Sequence, residues 1–191
     1  MPDNNAPHSN RSLEDQRREF SNRRFLAMPL AGAIAWAVVG IGGLFLNPFP
    51  ACMTLFIATG SIVYLGMLIS RFTGENFMDK TKQKNTFDAL FMMTVLMALL
   101  VYAIAIPFFL RDYTSLPLTV GILSGLMWVP LSWVIEHWIG LFHGIVRTVL
   151  VIAAWYAFPA HRFVVVPFVI VLVYLFTIII FEKRWHSAQN A

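Results

Sequence analysis

Apolar residues in this chain arrive in unbroken blocks and not at the three-to-four spacing of a helix that buries one face. No charged side chain occurs from Phe25 through Ser70, a run of 46 residues. A single helix of that length would extend roughly 70 Å, more than twice a hydrocarbon core of about 30 Å. The run must therefore fold back, and Asn47-Pro48-Phe49-Pro50 supplies the turn chemistry. The same argument applied along the chain predicts spans over residues 25–46, 51–70, 87–110, 117–137, 141–159 and 163–181. The fold class expected is all-α: an integral membrane bundle of six transmembrane helices with a short N-terminal basic surface helix.

The segments between the blocks divide the chain further. Residues 1–11 are polar, with Pro, Asn and Ser, and are expected to be disordered. Residues 12–24 read as a basic juxtamembrane helix, capped by Ser12 with Asp15 three residues on. The membrane domain occupies 25–182, and 183–191 forms a tail. Residues 71–85 make the longest internal loop, after which Asn85 or Thr86 caps a helix with Asp88 in its first turn. A cleaved signal peptide is the poorer reading of the first block, because its apolar core exceeds 20 residues where a signal has about 7–15.

Composition sharpens this picture. Only 13% of residues are charged, about half the share of a soluble domain, too few to coat a surface facing water. The pI near 9.5 does not imply nucleic acid, because the positive charges sit between the apolar blocks. Their expected counter-surface is membrane lipid with anionic headgroups. With both termini inside, the inner segments hold twelve Lys or Arg and the outer loops only Arg111 and Arg162. That asymmetry predicts a multi-pass inner-membrane protein with both ends cytoplasmic. Cys52 is the only cysteine, which excludes an internal disulfide and a Cys-rich metal site.

The candidate chemistry lies in WVIEHWIGLFHGIVRT, residues 133–148, with Ser132 just before it. In one continuous helix Ser132, Glu136, His143 and Arg147 would share a face, but that helix would outrun the bilayer, so a break is expected at Gly140. Either geometry allows Glu136 and Arg147 to meet. Two readings stand. In the structural one, Glu136, His137 and His143 lie wet at headgroup level and Arg147 snorkels to the cytoplasmic face. In the functional one, the Glu136–Arg147 pair opens on protonation, His137 or His143 shuttles the proton, or Arg147 and the histidines hold an anion or lipid phosphate. No metal or cofactor is expected: Glu-His followed by His six residues on lacks the i, i+4 histidines of a zinc-protease helix, and His143 and His161 belong to opposite faces.

Gly121/Gly125 and Gly140/Gly144 have the small-residue spacing of close helix contact, which makes homo-oligomerisation through those faces conceivable. Met92, Met93 and Met97 read as packing material, and Pro29, Pro107, Pro130 and Pro167 as local breaks that either line a cavity or merely bend a span.

The basic leader, MPLAGAIAWAVVGIGGLFL, HWIGLFHGIVRTVLVIAAWYAFP and HRFVVVPFVIVLVYLFTIIIF together resemble a family of small bacterial integral membrane proteins known only as a domain of unknown function. The resemblance implies a bacterial inner-membrane location and no assigned activity or site residues. Three functions fit: a small-solute carrier or channel-like protein, possible proton coupling included; a membrane-embedded enzyme or lipid-binding protein using Glu136, His143 and Arg147; and a non-catalytic accessory subunit.

Overall fold

A computed structural model describes residues 11–77 and 83–189. The chain forms α1 (Leu13–Ser21), α2 (Ala27–Phe45), α3 (Pro48–Gly60), α4 (Ile62–Thr73), α5 (Thr86–Leu100), α6 (Tyr102–Arg111), a 3-10 turn (Tyr113–Ser115), α7 (Leu116–Leu123), α8 (Trp128–Val134), α9 (Ile139–Ala157) and α10 (Arg162–Gln189). Among the described residues there is no strand. The expected disordered N-terminus and the middle of the 71–85 loop fall largely outside the described residues.

Five helical runs are long and apolar enough to cross a membrane: α2, α5 with α6, Tyr113–Val134, α9 and α10. α3 and α4 qualify as a sixth only together, because they are bent by 49° at their junction. The Gly60-Ser61 pair accounts for the bend: the Ser61 hydroxyl donates to the Ala58 carbonyl at 2.9 Å, diverting it from the helical ladder. Around the bundle the outward side chains are apolar, among them Ile41, Ile57, Leu100, Ile104, Ile145 and Phe168. A surface so rich in exposed hydrocarbon suits lipid and not water.

α2 and α10 form the central pair, with Trp36, Val39 and Ile170 fully buried. Pro29 falls in the first turn of α2, where its missing N–H breaks no helical bond. The two N–H groups at that helix start, Leu26 and Ala27, donate to the Glu75 carboxylate at 3.1 and 2.7 Å, an N-terminal cap contributed from 48 residues downstream.

The leader and the end of the last helix lie together. Arg24 Nε donates to Glu182 at 2.9 Å, and Arg184 donates to the Ser21 hydroxyl at 2.7 Å. Ser12 caps α1 by accepting from the Asp15 N–H at 3.1 Å. α1 is clamped onto the bundle end: Phe20 packs against Phe25, Phe87 and Phe91, and Gln16 accepts from the Thr86 N–H and hydroxyl, both at 2.9 Å. Asn85 caps α5, as its position suggested.

The break between α8 and α9 falls at Ile135–Trp138 and not at Gly140. Glu136 takes the left-handed conformation there, φ 51°. Gly140 instead sits inside α9, where its lack of a side chain lets the helix approach α8. A Cβ on it would stand 2.6 Å from the Trp128 carbonyl oxygen.

Candidate functional site

The cluster that looks continuous in sequence divides into two places. Ser132, Glu136 and His137 build the turn at the α1 end of the bundle, while His143 and Arg147 enter its interior. The Ser132 hydroxyl donates to the His137 carbonyl at 2.6 Å, and the His137 N–H returns to the Ser132 carbonyl at 3.1 Å. His137 Nδ1 accepts from the Ile139 N–H at 3.3 Å, capping α9. Burial, and next the nearby Arg184, push the His137 imidazole below its ordinary value.

Glu136 does not reach Arg147. Its carboxylate, well exposed, pairs with Arg17 of α1 at 2.9 Å. Arg17 also donates to the Val134 carbonyl at 3.1 Å and to that of Trp133, and its guanidinium lies 4.4 Å from the Trp133 ring centre. These carbonyls belong to the C-terminal end of α8, where a cation is favoured. The expected gate between Glu136 and Arg147 is therefore absent, because the helix break leaves the first at the bundle end and carries the second two turns inward.

Arg147 does not snorkel either. It is 0% exposed. Nε donates to the Gly121 carbonyl at 2.7 Å, Nη1 to the Tyr174 hydroxyl at 3.2 Å and Nη2 to the Ser124 hydroxyl at 2.9 Å. Its guanidinium carbon lies 5.4 Å from the Trp36 ring centre and 5.5 Å from that of Tyr174. Every partner is electrically neutral, and no carboxylate of the described residues lies within ion-pair distance.

The cradle follows from the local sequence. Pro130 lacks the N–H that would bond the Leu126 carbonyl, and its ring crowds that carbonyl in a regular helix. The chain accordingly tightens ahead of α8: the Leu126 carbonyl goes to Val129 N–H at 3.1 Å, and Gly125 N–H bonds Ile122 at 2.8 Å. In a regular helix Gly125 N–H would take the Gly121 carbonyl. Released, that carbonyl faces Arg147. Gly32 on α2 matters equally: a Cβ there would lie 2.5 Å from Tyr174 Cζ, so only glycine lets the tyrosine occupy this place.

His143, one turn before Arg147, is also 0% exposed. Its ring stacks on Trp128 with centres 4.1 Å apart and meets Tyr174 edge-on at 4.7 Å. Nδ1 lies 2.9 Å from the Thr177 hydroxyl, whose single proton goes to the Val173 carbonyl at 2.8 Å. With that proton on Val173, the hydroxyl accepts from His143, the tautomer that carries its proton on Nδ1 and leaves Nε2 a bare lone pair. That Nε2, and the indole nitrogens of Trp36 and Trp128, are buried with no hydrogen-bond partner among the described residues.

The two glycine pairs are taken up by packing within the chain. Gly121 lies against Ile170, Val151 and Val166, and Gly144 against Val129. Gly125 is filled by Arg147, whose Cδ would stand 3.0 Å from an added Cβ.

A family model described as a family of unknown function, DUF7010, matches residues 13–183. The chain belongs to this family. The match runs from α1 to the end of the apolar part of α10 and includes every residue of the Arg147 cradle. No curated protein and no solved structure matches the chain.

Within that family stretch, sequence reasoning found His143 and Arg147 but missed Trp36, Ser124, Trp128, Tyr174 and Thr177. A signal for two of them was present. Tyr174 and Thr177 are the only residues with hydroxyl groups between Phe163 and Phe181, and their i, i+3 spacing puts them on one helix face.

Proposed function

We propose that this protein crosses the bacterial cytoplasmic membrane six times, with both termini in the cytosol, and acts as a small-solute carrier or channel-like protein for an anion drawn to Arg147. The observation that carries this is the fully buried guanidinium held only by neutral oxygens. An arginine at mid-span costs at least about 3 kcal/mol on insertion scales. A visiting anion offsets that cost, and an apolar side chain would avoid it altogether.

The remaining features support the reading. Removing Arg147 from the charge count leaves eleven inner cations against two outer ones, so the bias survives. Counting the bent α3–α4 pair as one crossing puts α1 and the end of α10 on the same side, in keeping with the Arg24–Glu182 pair. The interruptions at Gly60-Ser61 and Ser124–Met127 supply hinges of the kind that line carrier pathways.

Reconstitution into vesicles tests it. Wild-type protein is expected to pass small monovalent anions down an imposed gradient, and Arg147→Met to stop that flux while inserting normally. Undiminished flux through Arg147→Met overturns the assignment. Single-sided thiol labelling of Cys introduced at positions 72 and 186, against position 160, tests the orientation.

A further inference from the structure

Resting on the reading of Arg147 as an anion site, we infer that the anion it takes is a small monovalent oxyanion carrying its own O–H group, with that hydroxyl donating to His143 Nε2. The argument is one of matching donors to acceptors in a dry interior. Arg147 has five N–H donors, and three are used, by Gly121, Tyr174 and Ser124. Two indole N–H groups, that of Trp36 beside Arg147 and that of Trp128 beside His143, are donors without acceptors among the described residues. A site of donors alone would suit any anion.

His143 changes the selection. Thr177 spends its proton on Val173, so His143 holds its own proton on Nδ1 and presents Nε2 as an acceptor. His143 and Arg147 are four residues apart on α9 and so lie on one face, about 5–6 Å between Cβ atoms. The groups packed on the imidazole from other helices are Trp128 of α8 and Tyr174 and Thr177 of α10. No carboxylate among the described residues hydrogen-bonds to the ring, and none shares Arg147. A ligand that brings a proton donor with its negative charge answers this lone pair and the guanidinium together.

Bicarbonate and nitrate separate this from simple anion binding. Both are planar, trigonal and monovalent, but only bicarbonate has an O–H. Full-length protein in lipid nanodiscs is titrated with each sodium salt at equal ionic strength, at a pH that holds carbonate as bicarbonate, and binding is read by calorimetry and by indole fluorescence. Bicarbonate is expected to bind at least about tenfold more tightly, because nitrate leaves a buried acceptor unpaired. His143→Phe keeps a ring on Trp128 without the acceptor and is expected to bring bicarbonate to the level of nitrate. His143→Gln restores an acceptor and part of the preference. Equal binding of both anions by wild-type protein, abolished in Arg147→Met, overturns the hydroxyl selection and leaves the anion site standing. A bicarbonate preference that persists in His143→Phe also overturns it. Failure of wild-type protein to bind either anion removes the Arg147 reading and this inference together.

Discussion

Arg147 Nε donates to the main-chain carbonyl of Gly121 across the α7–α9 contact, at 2.7 Å, the shortest of the three bonds that hold the guanidinium. A carbonyl accepts a charged donor well but does not neutralise it. The charge thus remains in the bundle interior, positioned and uncompensated. Stability and function should separate at this residue. Arg147→Met keeps much of the volume and removes the charge, so its unfolding free energy in detergent should stay within about 2 kcal/mol of wild type, while vesicle anion flux is lost. Arg147→Lys keeps the charge but not the planar fork that reaches Gly121, Tyr174 and Ser124 together. It should lose stability as well as flux. A Met variant that unfolds and a Lys variant that does not would reverse this assignment.

Glu136 offers a contrasting case. Its φ of 51° places a side chain in the left-handed region at a cost of roughly 1–2 kcal/mol, and an ion pair open to solvent at its carboxylate returns about 0–1 kcal/mol. Glu136→Gly should therefore be no less stable than wild type, and Glu136→Gln should leave vesicle flux unchanged. Arg17→Ala, at the other end of the same pair, removes the bonds to the Trp133 and Val134 carbonyls and the packing on Trp133. A loss of about 1–3 kcal/mol is expected, measurable as a lower denaturant midpoint. The pair is thus asymmetric in its consequences.

Helix-to-helix distance gives a steric prediction. A methyl group on Gly140 would meet the Trp128 carbonyl at 2.6 Å and Ser132 Cβ at 2.7 Å, and neither backbone can retreat without parting α8 from α9. Gly140→Ala should cost about 1–3 kcal/mol. Gly60, with nothing within 4 Å of the same added atom, should instead gain about 0.4–1 kcal/mol on replacement by Ala. Thermal midpoints moving in opposite directions would confirm that the first glycine is there for close packing and the second is not.

The residues differ in how far the sequence disclosed them. Apolar blocks announce the helices because each is long and apolar enough to cross a membrane, and capping at Ser12 and Asn85 is local chemistry that needs no tertiary information. Arg147 was conspicuous as a cation within an apolar block. Its partners were not: whether Glu136 or Tyr174 lies beside it depends on where α8 ends, and Gly140 looked the better break because glycine is a common helix breaker. Gly140 serves the approach of α8 to α9, a requirement set by a neighbour 12 residues away at Trp128. The dock of α1 was equally hidden, since an arginine-rich helix that lies on lipid and one that clamps the bundle end have the same composition.

That dock should respond to acid. Burial works against ionisation of Glu19, but hydrogen bonds from Arg23 and Arg11, the charge of Arg23 and a bond from Asn85 outweigh it, lowering the carboxyl from 4.5 to about 2. The folded value lies below the unfolded one, so the ionised carboxylate favours the docked helix. Its contribution is complete above about pH 4.5 and is lost as pH falls from there towards 2. A spin label on Leu13→Cys, an exposed position of α1, should gain mobility through that window, with Cys52→Ala as background. Adding Glu19→Gln should give a mobile label at neutral pH and flatten the response. A label whose mobility is the same from neutral pH to pH 2 would dissociate Glu19 from the dock.

Pro130 is the residue on which the buried site depends without touching it. The Gly121 carbonyl is available to Arg147 because Gly125 N–H bonds Ile122 instead, and the chain tightens there because Pro130 cannot continue a regular helix. Pro130→Ala restores an N–H and removes the ring, so α7 and α8 can join and the Gly121 carbonyl can return to Gly125. Intrinsic helix propensity favours that by about 3 kcal/mol, and the variant should be at least as stable as wild type. Arg147 then loses its closest acceptor, and anion flux in vesicles should fall with no change at Arg147 itself. Amide exchange at Gly125 reads the cause directly: slower exchange in Pro130→Ala together with reduced flux supports this account, whereas slower exchange with full flux would show that the released carbonyl is not what positions the guanidinium.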